Sequence, residues 1–390
     1  MSEEISGKSR RLLIVPFERL DETFKKGNAD YVRHYESYFD EIHALYFVGF
    51  FPETVQRGKT TWSSVGSKHH KLDFFLAPLR VLRAAFLLKP TAFLTQDLVF
   101  SWWSMVLVRL IYRGQVVLVP ICYPEEVYAL SKRSISTILP IWLERLFMRL
   151  SFYAATKIII SKQNHTSISW LKGNSASAKK TQIIDVIPEQ YPAPELLDAL
   201  LQSASENREL HAPARLLYVG RLHWQKLVLE LVDLMGELLR RGIQARLLVA
   251  GDGPDMLQMK ERAREMGVEE SIEWLGFVGG KDLGLIYRNA DVFVSTVTGT
   301  ALREAAFSGL PVVGYDLKFF KGLLQHDKNA LLAPVHDVVS LAAQVERALS
   351  NRGLSARIAK QLHADILTRW DTSLIPCSLA DAFPDKPSHL

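Results

Sequence analysis

Arg221 and Lys226 lie just beyond a run that reads as a buried strand, Arg215-Leu216-Leu217-Tyr218-Val219, with Gly220 between strand and cations. Two cations at a strand's end, beside a glycine that lets backbone approach closely, are the parts of a diphosphate site. Glu304 is the other residue whose position points to chemistry. It sits about one turn into a helical pattern, Ala301, Leu302, Ala305 and Ala306, that starts after Thr298-Gly299-Thr300 and stops at Gly309-Leu310-Pro311. The unpaired N–H groups at such a helix start attract an anion, and a carboxylate one turn in can accept from two hydroxyls of a ribose or a sugar. Taken singly, each feature has an ordinary alternative: solvated surface cations, and a packing turn of any parallel α/β unit.

The elements that must position these groups alternate strand with turn or helix. Ala290-Asp291-Val292-Phe293-Val294 precedes the Glu304 helix, and Val312-Val313-Gly314-Tyr315 follows it. Arg246-Leu247-Leu248-Val249-Ala250 reads as a further strand, leaving through Gly251-Asp252-Gly253-Pro254. Ile272 to Phe277 is a weaker strand before a helical stretch over Lys281–Asn289. Neither glycine turn supplies G-x-G-x-x-G, and no G-K-[ST] follows, so dinucleotide and Walker-type phosphate loops are excluded.

In order, G-R-L-x-x-x-K, V-A-G-D-G-P, W-L-G-F, A-D-V-F-V-S and R-E-A-A-F-S-G-L-P-V-V resemble the C-terminal domain of the group 1 GT-B glycosyltransferases, which are retaining and use nucleotide-sugars. The resemblance covers about residues 214–345 and fades before them. It implies an α/β protein of GT-B fold, with two Rossmann-like domains of parallel sheets facing across a cleft. An N-terminal acceptor-binding domain is expected over 1–187, a nucleotide-sugar-binding domain over 188–365, and a crossover segment with a tail over 366–390. Arg221 and Lys226 match the family's diphosphate-neutralising pair, and Glu304 matches the second glutamate of its E-x7-E motif, which binds ribose. Gly220, Gly251 and Gly299, with Thr300, Ala301 and Leu302, fall where backbone approaches the phosphates. Phe277 and Val278 fall where the base packs. The resemblance also implies that the leaving phosphate deprotonates the acceptor, so that no protein base is required.

The departures are specific. The first glutamate of E-x7-E would fall at Thr296, and the glycine after the lysine is Leu227. The strand Arg11–Val15 is followed by Pro16-Phe17-Glu18-Arg19-Leu20, without the usual glycine-rich loop. The loop expected to hold a histidine reads Pro120-Ile121-Cys122-Tyr123-Pro124-Glu125-Glu126, and Glu125 and Glu126 are its acceptor-side candidates. Thr156 stands where the family has an aspartate. These differences keep two other readings open: a non-catalytic GT-B subunit that binds a nucleotide-sugar or glycan and scaffolds a partner, and a sugar-nucleotide epimerase or hydrolase on the same fold.

At 390 residues, with 48% hydrophobic and 23% charged residues, the chain suits two α/β domains with full cores and excludes a disordered protein. Its two cysteines, Cys122 and Cys377, build no disulfide framework. A net charge of +5 suits nucleotides or anionic lipid and does not demand nucleic acid, for which no recognition motif is present. No D-x-D pair or zinc spacing occurs, so no metal or other cofactor is expected; paired cations serve the diphosphate instead. The N-terminus lacks an apolar leader core, which points to a cytoplasmic protein.

The N-terminal half gives strands at Arg11–Val15, Glu41–Val48, Gln115–Pro120 and Lys157–Ser161, and helices at Lys71–Lys89 and Ile138–Phe152. Leu98–Val108 is apolar nearly all round, yet shorter than the ~20 residues a bilayer requires. Leu79, Leu82 and Phe86 share one face of the first helix, with Arg80 and Arg83 on another and Lys68-His69-His70-Lys71 before it. Such a face either packs onto the sheet, the commoner fate, or lies peripherally on an anionic inner membrane leaflet. The proline-rich stretch 188–194 marks the domain break. The expected reaction moves a sugar from a nucleoside diphosphate sugar to a glycan or lipid-linked acceptor, in cell-surface polysaccharide or glycolipid synthesis.

Overall fold

The computed structural model describes residues 9–15, 30–46, 54–64, 70–96, 102–112, 115–119, 141–161, 179–184, 191–204, 210–297, 299–317 and 323–383. The chain divides into two compact units, one of Met1–Gln190 with Thr372–Leu390 and one of Tyr191–Asp371.

The first unit holds an eight-stranded sheet ordered β3-β4-β2-β1-β5-β6-β7-β8. Its strands are β1 (Arg11–Val15), β2 (Glu41–Tyr46), β3 (Val55–Arg57), β4 (Thr60–Ser64), β5 (Ala92–Thr95), β6 (Gln115–Leu118), β7 (Lys157–Ser161) and β8 (Thr181–Ile184). All pairs are parallel except the β3–β4 hairpin at one edge. The unbroken apolar run of β1 is what a strand buried on both faces requires. It sits mid-sheet, with Leu13 in register with His43 on one side and Phe93 on the other. Three helices cover one face: α1 (His70–Leu88), α2 (Trp102–Leu107), continued by a π turn Val108–Tyr112, and α3 (Ile141–Ala154).

Of the expected α1 stripe, Leu82 is half-buried, while Leu79 and Phe86 do not pack into the core. Val81 and Ala85 make the core contact, while Leu79 is 58% exposed and Phe86 50% exposed. Lys68 and His69 lie outside the described residues, as do Glu125 and Glu126. Thr156, in the aspartate's place, both donates to the carbonyl of Val116 and accepts from its N–H, each at 2.9 Å, fixing the start of β7 against β6. The segment after Asp371 returns to this unit: the Tyr38 hydroxyl donates to the Phe383 carbonyl, and Gln182 Nε2 donates to that of Asp381 at 2.8 Å.

The second unit is a six-stranded parallel sheet ordered β11-β10-β9-β12-β13-β14. Its strands are β9 (Ala214–Val219), β10 (Ala245–Ala250), β11 (Ile272–Gly276), β12 (Val292–Ser295), β13 (Val312–Tyr315) and β14 (Leu331–Ala333). Counted within the unit this is the 3-2-1-4-5-6 order of a doubly wound nucleotide fold, and its switch point lies between β9 and β12, which pair directly. The helices are α4 (Pro194–Ala204), α5 (Leu229–Arg240), α6 (Met256–Glu265), α7 (Gly280–Arg288), α8 (Thr300–Phe307), α9 (Val338–Ser350), α10 (Arg352–Arg369) and, in the first unit, α11 (Ile375–Ala382). Buried Asp291 anchors the N-terminal end of β12, accepting from the Arg215 N–H at 2.6 Å and from His211 Nδ1 at 2.9 Å.

Candidate functional site

The site is built where β9, β10, β11 and β12 end. Their hydrogen bonding continues past the strands: the N–H of Gly220 reaches Ala250 O at 3.0 Å, that of Leu222 reaches Asp252 O at 3.0 Å, and that of Gly251 reaches Gly276 O at 2.8 Å. Glycine is required at two points for space alone. A Cβ on Gly251 would lie 1.9 Å from the Gly220 carbonyl oxygen, and one on Gly253 would lie 2.1 Å from that of Leu222. The exits of β9 and β10 therefore form one backbone slab, with Arg221 projecting from it exposed to solvent.

After Arg221 the chain makes a tight turn, Trp224–Lys226, capped by His223, whose Nδ1 accepts from the Gln225 N–H at 3.4 Å. Burial, and then the charge of Arg221, lower the His223 pKa, so the ring is neutral near pH 7. Leu227 then adopts a left-handed conformation, φ 52 and ψ 41. The glycine expected there by resemblance has a physical reason, since that region is open to glycine and strained for leucine. The turn is held from below. Thr296, fully buried at the exit of β12, donates its hydroxyl to the carbonyl of Lys226 at 2.6 Å. The position where the resemblance places a first glutamate thus carries a hydroxyl committed to holding the lysine turn.

Helix α8 starts at the same switch point. Its cap, Gly299, offers no side chain and is exposed, as is Thr300, so the cap residue itself gives the first-turn N–H groups of α8 no side-chain acceptor. Ala301 and Leu302 are buried and contribute backbone there. Glu304 follows at 8% exposure, accepting from the Tyr287 hydroxyl at 2.8 Å. Burial raises its pKa, against the opposing pull of Tyr287 and of Arg303. Burial lowers the Arg303 guanidinium to about 10, opposed by the charge of Glu304. Among the described residues Tyr287 is the one hydrogen-bond partner of Glu304, and it meets Oε2, leaving Oε1 as acceptor capacity.

Gly220, Arg221, Lys226, Gly251, Gly299, Thr300 and Glu304 are thus gathered around the exits of β9, β10 and β12. Phe277 and Val278, both half-buried, follow β11 at the far side. Three contributors carry no clear sequence signal: the Thr296 hydroxyl, the Tyr287 hydroxyl and the His223 cap. Among the described residues no group of His, Cys, Asp and Glu side chains is arranged to hold a metal ion.

Residues 203–363 match the family model Glycosyl transferases group 1. The chain carries a group 1 glycosyl transferase domain. This domain is 30% identical over 162 residues to an uncharacterized glycosyltransferase of Methanocaldococcus jannaschii, a match spanning 40% of this chain and 41% of that protein. It is 29% identical over 129 residues to the alpha-monoglucosyldiacylglycerol synthase of Streptococcus pneumoniae, across 32% of this chain and 29% of that enzyme. The chain thus spans less than half the length of each of these two relatives. Beyond the group 1 domain, the structure of Anabaena HepE in complex with UDP and glucose resembles the chain with a TM-score of 0.69 at 15% identity, over 97% of this chain and 100% of that one. That likeness shows the fold, which is GT-B.

Proposed function

We propose that the chain is a glycosyltransferase that moves a hexose from a nucleoside diphosphate sugar to a hydroxyl of a glycan or lipid-linked acceptor, with retention at the anomeric carbon. The observation that carries this reading is the meeting of Arg221, the Lys226 turn and the glycine-capped start of α8 at the switch point of a parallel sheet. That is an anion site with positive charge on two sides and a carboxylate, Glu304, one turn away. The names of similar proteins agree: one is in complex with UDP and glucose, and another is an alpha-monoglucosyldiacylglycerol synthase.

In this reading the anomeric carbon–oxygen bond breaks, and its electron pair stays on the departing diphosphate. Arg221, Lys226 and the α8 N–H groups stabilise that charge as it develops, so the protein supplies the role a metal serves elsewhere. The acceptor oxygen bonds the anomeric carbon, and its proton passes to the departing phosphate oxygen. Glu304 fixes the donor through ribose hydroxyls. A panel of nucleotide-sugars tested for nucleoside diphosphate release, with and without lipid-linked acceptor and with a chelator added, tests the reading. Acceptor-dependent release that survives the chelator supports it.

One observation favours a second reading. Thr296 is buried and bonded to Lys226, so no carboxylate occupies the position where the family has its first glutamate. A chain that binds nucleoside diphosphate yet releases none from any donor would be a binding subunit instead.

A further inference from the structure

Helices α1, α2 and α3 share one hydrophobic cluster beneath them. Val81 and Ala85, Met105 and Val108, and Met148 and Phe152 meet there over the strand residues of β1, β5, β6 and β7. All three therefore cover the same face of the eight-stranded sheet, and their opposite sides face outward. On a helix packed this way the outward stripe is ordinarily polar. Here it is apolar on each of the three. On α1 it runs Leu76, Leu79, Arg83, Phe86 and Leu87, all exposed. On α2 and its π turn it runs through Trp103 to Ile111 and to Leu110, which is 67% exposed. On α3 it runs Trp142, Leu146, Arg149 and Tyr153, with Trp142 66% exposed and Tyr153 74% exposed. The helices are tied laterally by Trp102 against Phe147, centroids 5.3 Å apart, and by Phe86 against Tyr112 at 5.9 Å. The stripes therefore lie side by side on one surface.

We infer that this three-helix surface docks on an anionic lipid bilayer, lying in the headgroup region. The choice of occupant rests on charge and on aromatic placement. Arg83 and Arg149 stand within the apolar stripes, and exposed Lys89 follows α1. At the end of α3, Arg109 Nη1 donates to the Tyr153 carbonyl at 2.6 Å and Lys180 Nζ donates to it at 3.0 Å. These two cations lie 5.8 Å and 5.6 Å from the centre of the Tyr153 ring, making a basic aromatic corner. No described side chain of the three helices is acidic; the acidic residues in their sequences are Asp73 and Glu144, whose side chains are outside the description. Tryptophan, tyrosine, leucine and arginine on one face are the composition of a surface resting at the lipid–water boundary. Among the described residues no helix is long and apolar enough to cross a bilayer, so the surface lies on the membrane. A second copy of the chain fits less well. A two-fold contact through this face would set Arg83 and Arg149 near their own images, with like charges desolvated together. The inference uses the first unit alone, and its failure would leave the donor-site reading untouched.

The test is flotation of the full chain with vesicles of phosphatidylcholine and phosphatidylglycerol, and with vesicles of phosphatidylcholine alone. Binding is expected to the anionic vesicles and to weaken with salt, because each cation near the surface adds an attraction that ions screen. Leu110→Gln with Trp142→Gln should lower the partition coefficient by about tenfold or more, through lost apolar insertion. Arg83→Gln with Arg149→Gln should lower it and flatten the salt dependence. All four positions are exposed, so the thermal midpoint of each variant should match that of the parent. No binding to anionic vesicles at low salt overturns the inference, and so does binding that neither double variant changes. A concentration-dependent dimer in sedimentation equilibrium, abolished by Leu110→Gln with Trp142→Gln, would assign the face to a second copy and overturn it as well.

Discussion

The hydroxyl of Thr296, at the exit of β12, holds the carbonyl of Lys226, at the exit of β9, at 2.6 Å. The two residues sit on either side of the switch point, so one buried hydrogen bond fixes where the lysine turn stands relative to the start of α8. Thr296→Val keeps the shape and removes the donor. It should cost about 1–3 kcal/mol of stability, as a buried carbonyl loses its partner, and should weaken UDP and pyrophosphate binding together, because both use the Lys226 turn. Thr296→Ser keeps the hydroxyl and should remain close to the parent. Calorimetry on the three proteins decides: equal affinities for Val and Ser would show that the bond does not position the lysine.

Arg221 and Lys226 reach the same proposed diphosphate from different constraints, one exposed on the backbone slab and the other at the end of a capped turn. Either change to Ala should weaken nucleoside diphosphate binding by about 1.5–3 kcal/mol, the range for a hydrogen bond to a charged group. The loss should appear equally with pyrophosphate, since neither residue is assigned to ribose. Unchanged affinity for Lys226→Ala would remove that residue from the site.

Glu304 separates binding from stability. Burial raises its pKa, so the folded chain keeps the proton to higher pH than the unfolded chain does. In that window the folded state binds more protons, and stability falls as pH rises from the usual carboxylate range through the folded value. Glu304→Gln lacks this titration. Its stability relative to the parent should therefore increase as pH rises through the window and level off above it, as measured by thermal midpoints across pH. UDP binding should nevertheless weaken by about 1.5–3 kcal/mol while pyrophosphate binding barely changes, because an amide oxygen accepts less strongly from ribose hydroxyls. Equal losses for the two ligands would place Glu304 away from the ribose.

What the sequence disclosed follows from how each feature is encoded. In the second unit β9, β10, β12 and β13 are mainly apolar runs, and β9 and β10 leave through glycine, so these strands were legible, and with them Gly220, Arg221, Lys226 and Glu304. The short strands β3, β4, β5, β8 and β14 were not. Thr60–Ser64, T-T-W-S-S, reads as a polar loop, yet buried Thr60 and Trp62 make it a sheet member. The hydroxyls of Thr296 and Tyr287 were invisible, because a threonine or tyrosine acquires a partner only through tertiary contact. Of the outward stripe of α1, Leu79 and Phe86 were legible as one apolar face, whereas Arg83 was assigned to another, and periodicity does not say which face of a helix meets the core. That choice was made by Val81 and Ala85, small enough to bring the helix onto the sheet.

Leu227 follows Lys226 in the left-handed region, at φ 52. A β-carbon there crowds the following carbonyl at a cost of roughly 1–2 kcal/mol, which glycine avoids. Leu227→Ala keeps the strain and discards the half-buried side chain, so it should destabilise the second unit. Leu227→Gly discards the same side chain but also relieves the backbone, so its thermal midpoint should exceed that of Leu227→Ala. This ordering reverses the one seen at ordinary positions, where glycine is the less stable of the two by about 0.5–1 kcal/mol. Because the turn continues directly from Lys226, the glycine variant should also loosen the lysine and bind UDP more weakly than the parent despite the relieved strain. A glycine variant less stable than the alanine variant would show that the turn relaxes out of the left-handed conformation in solution.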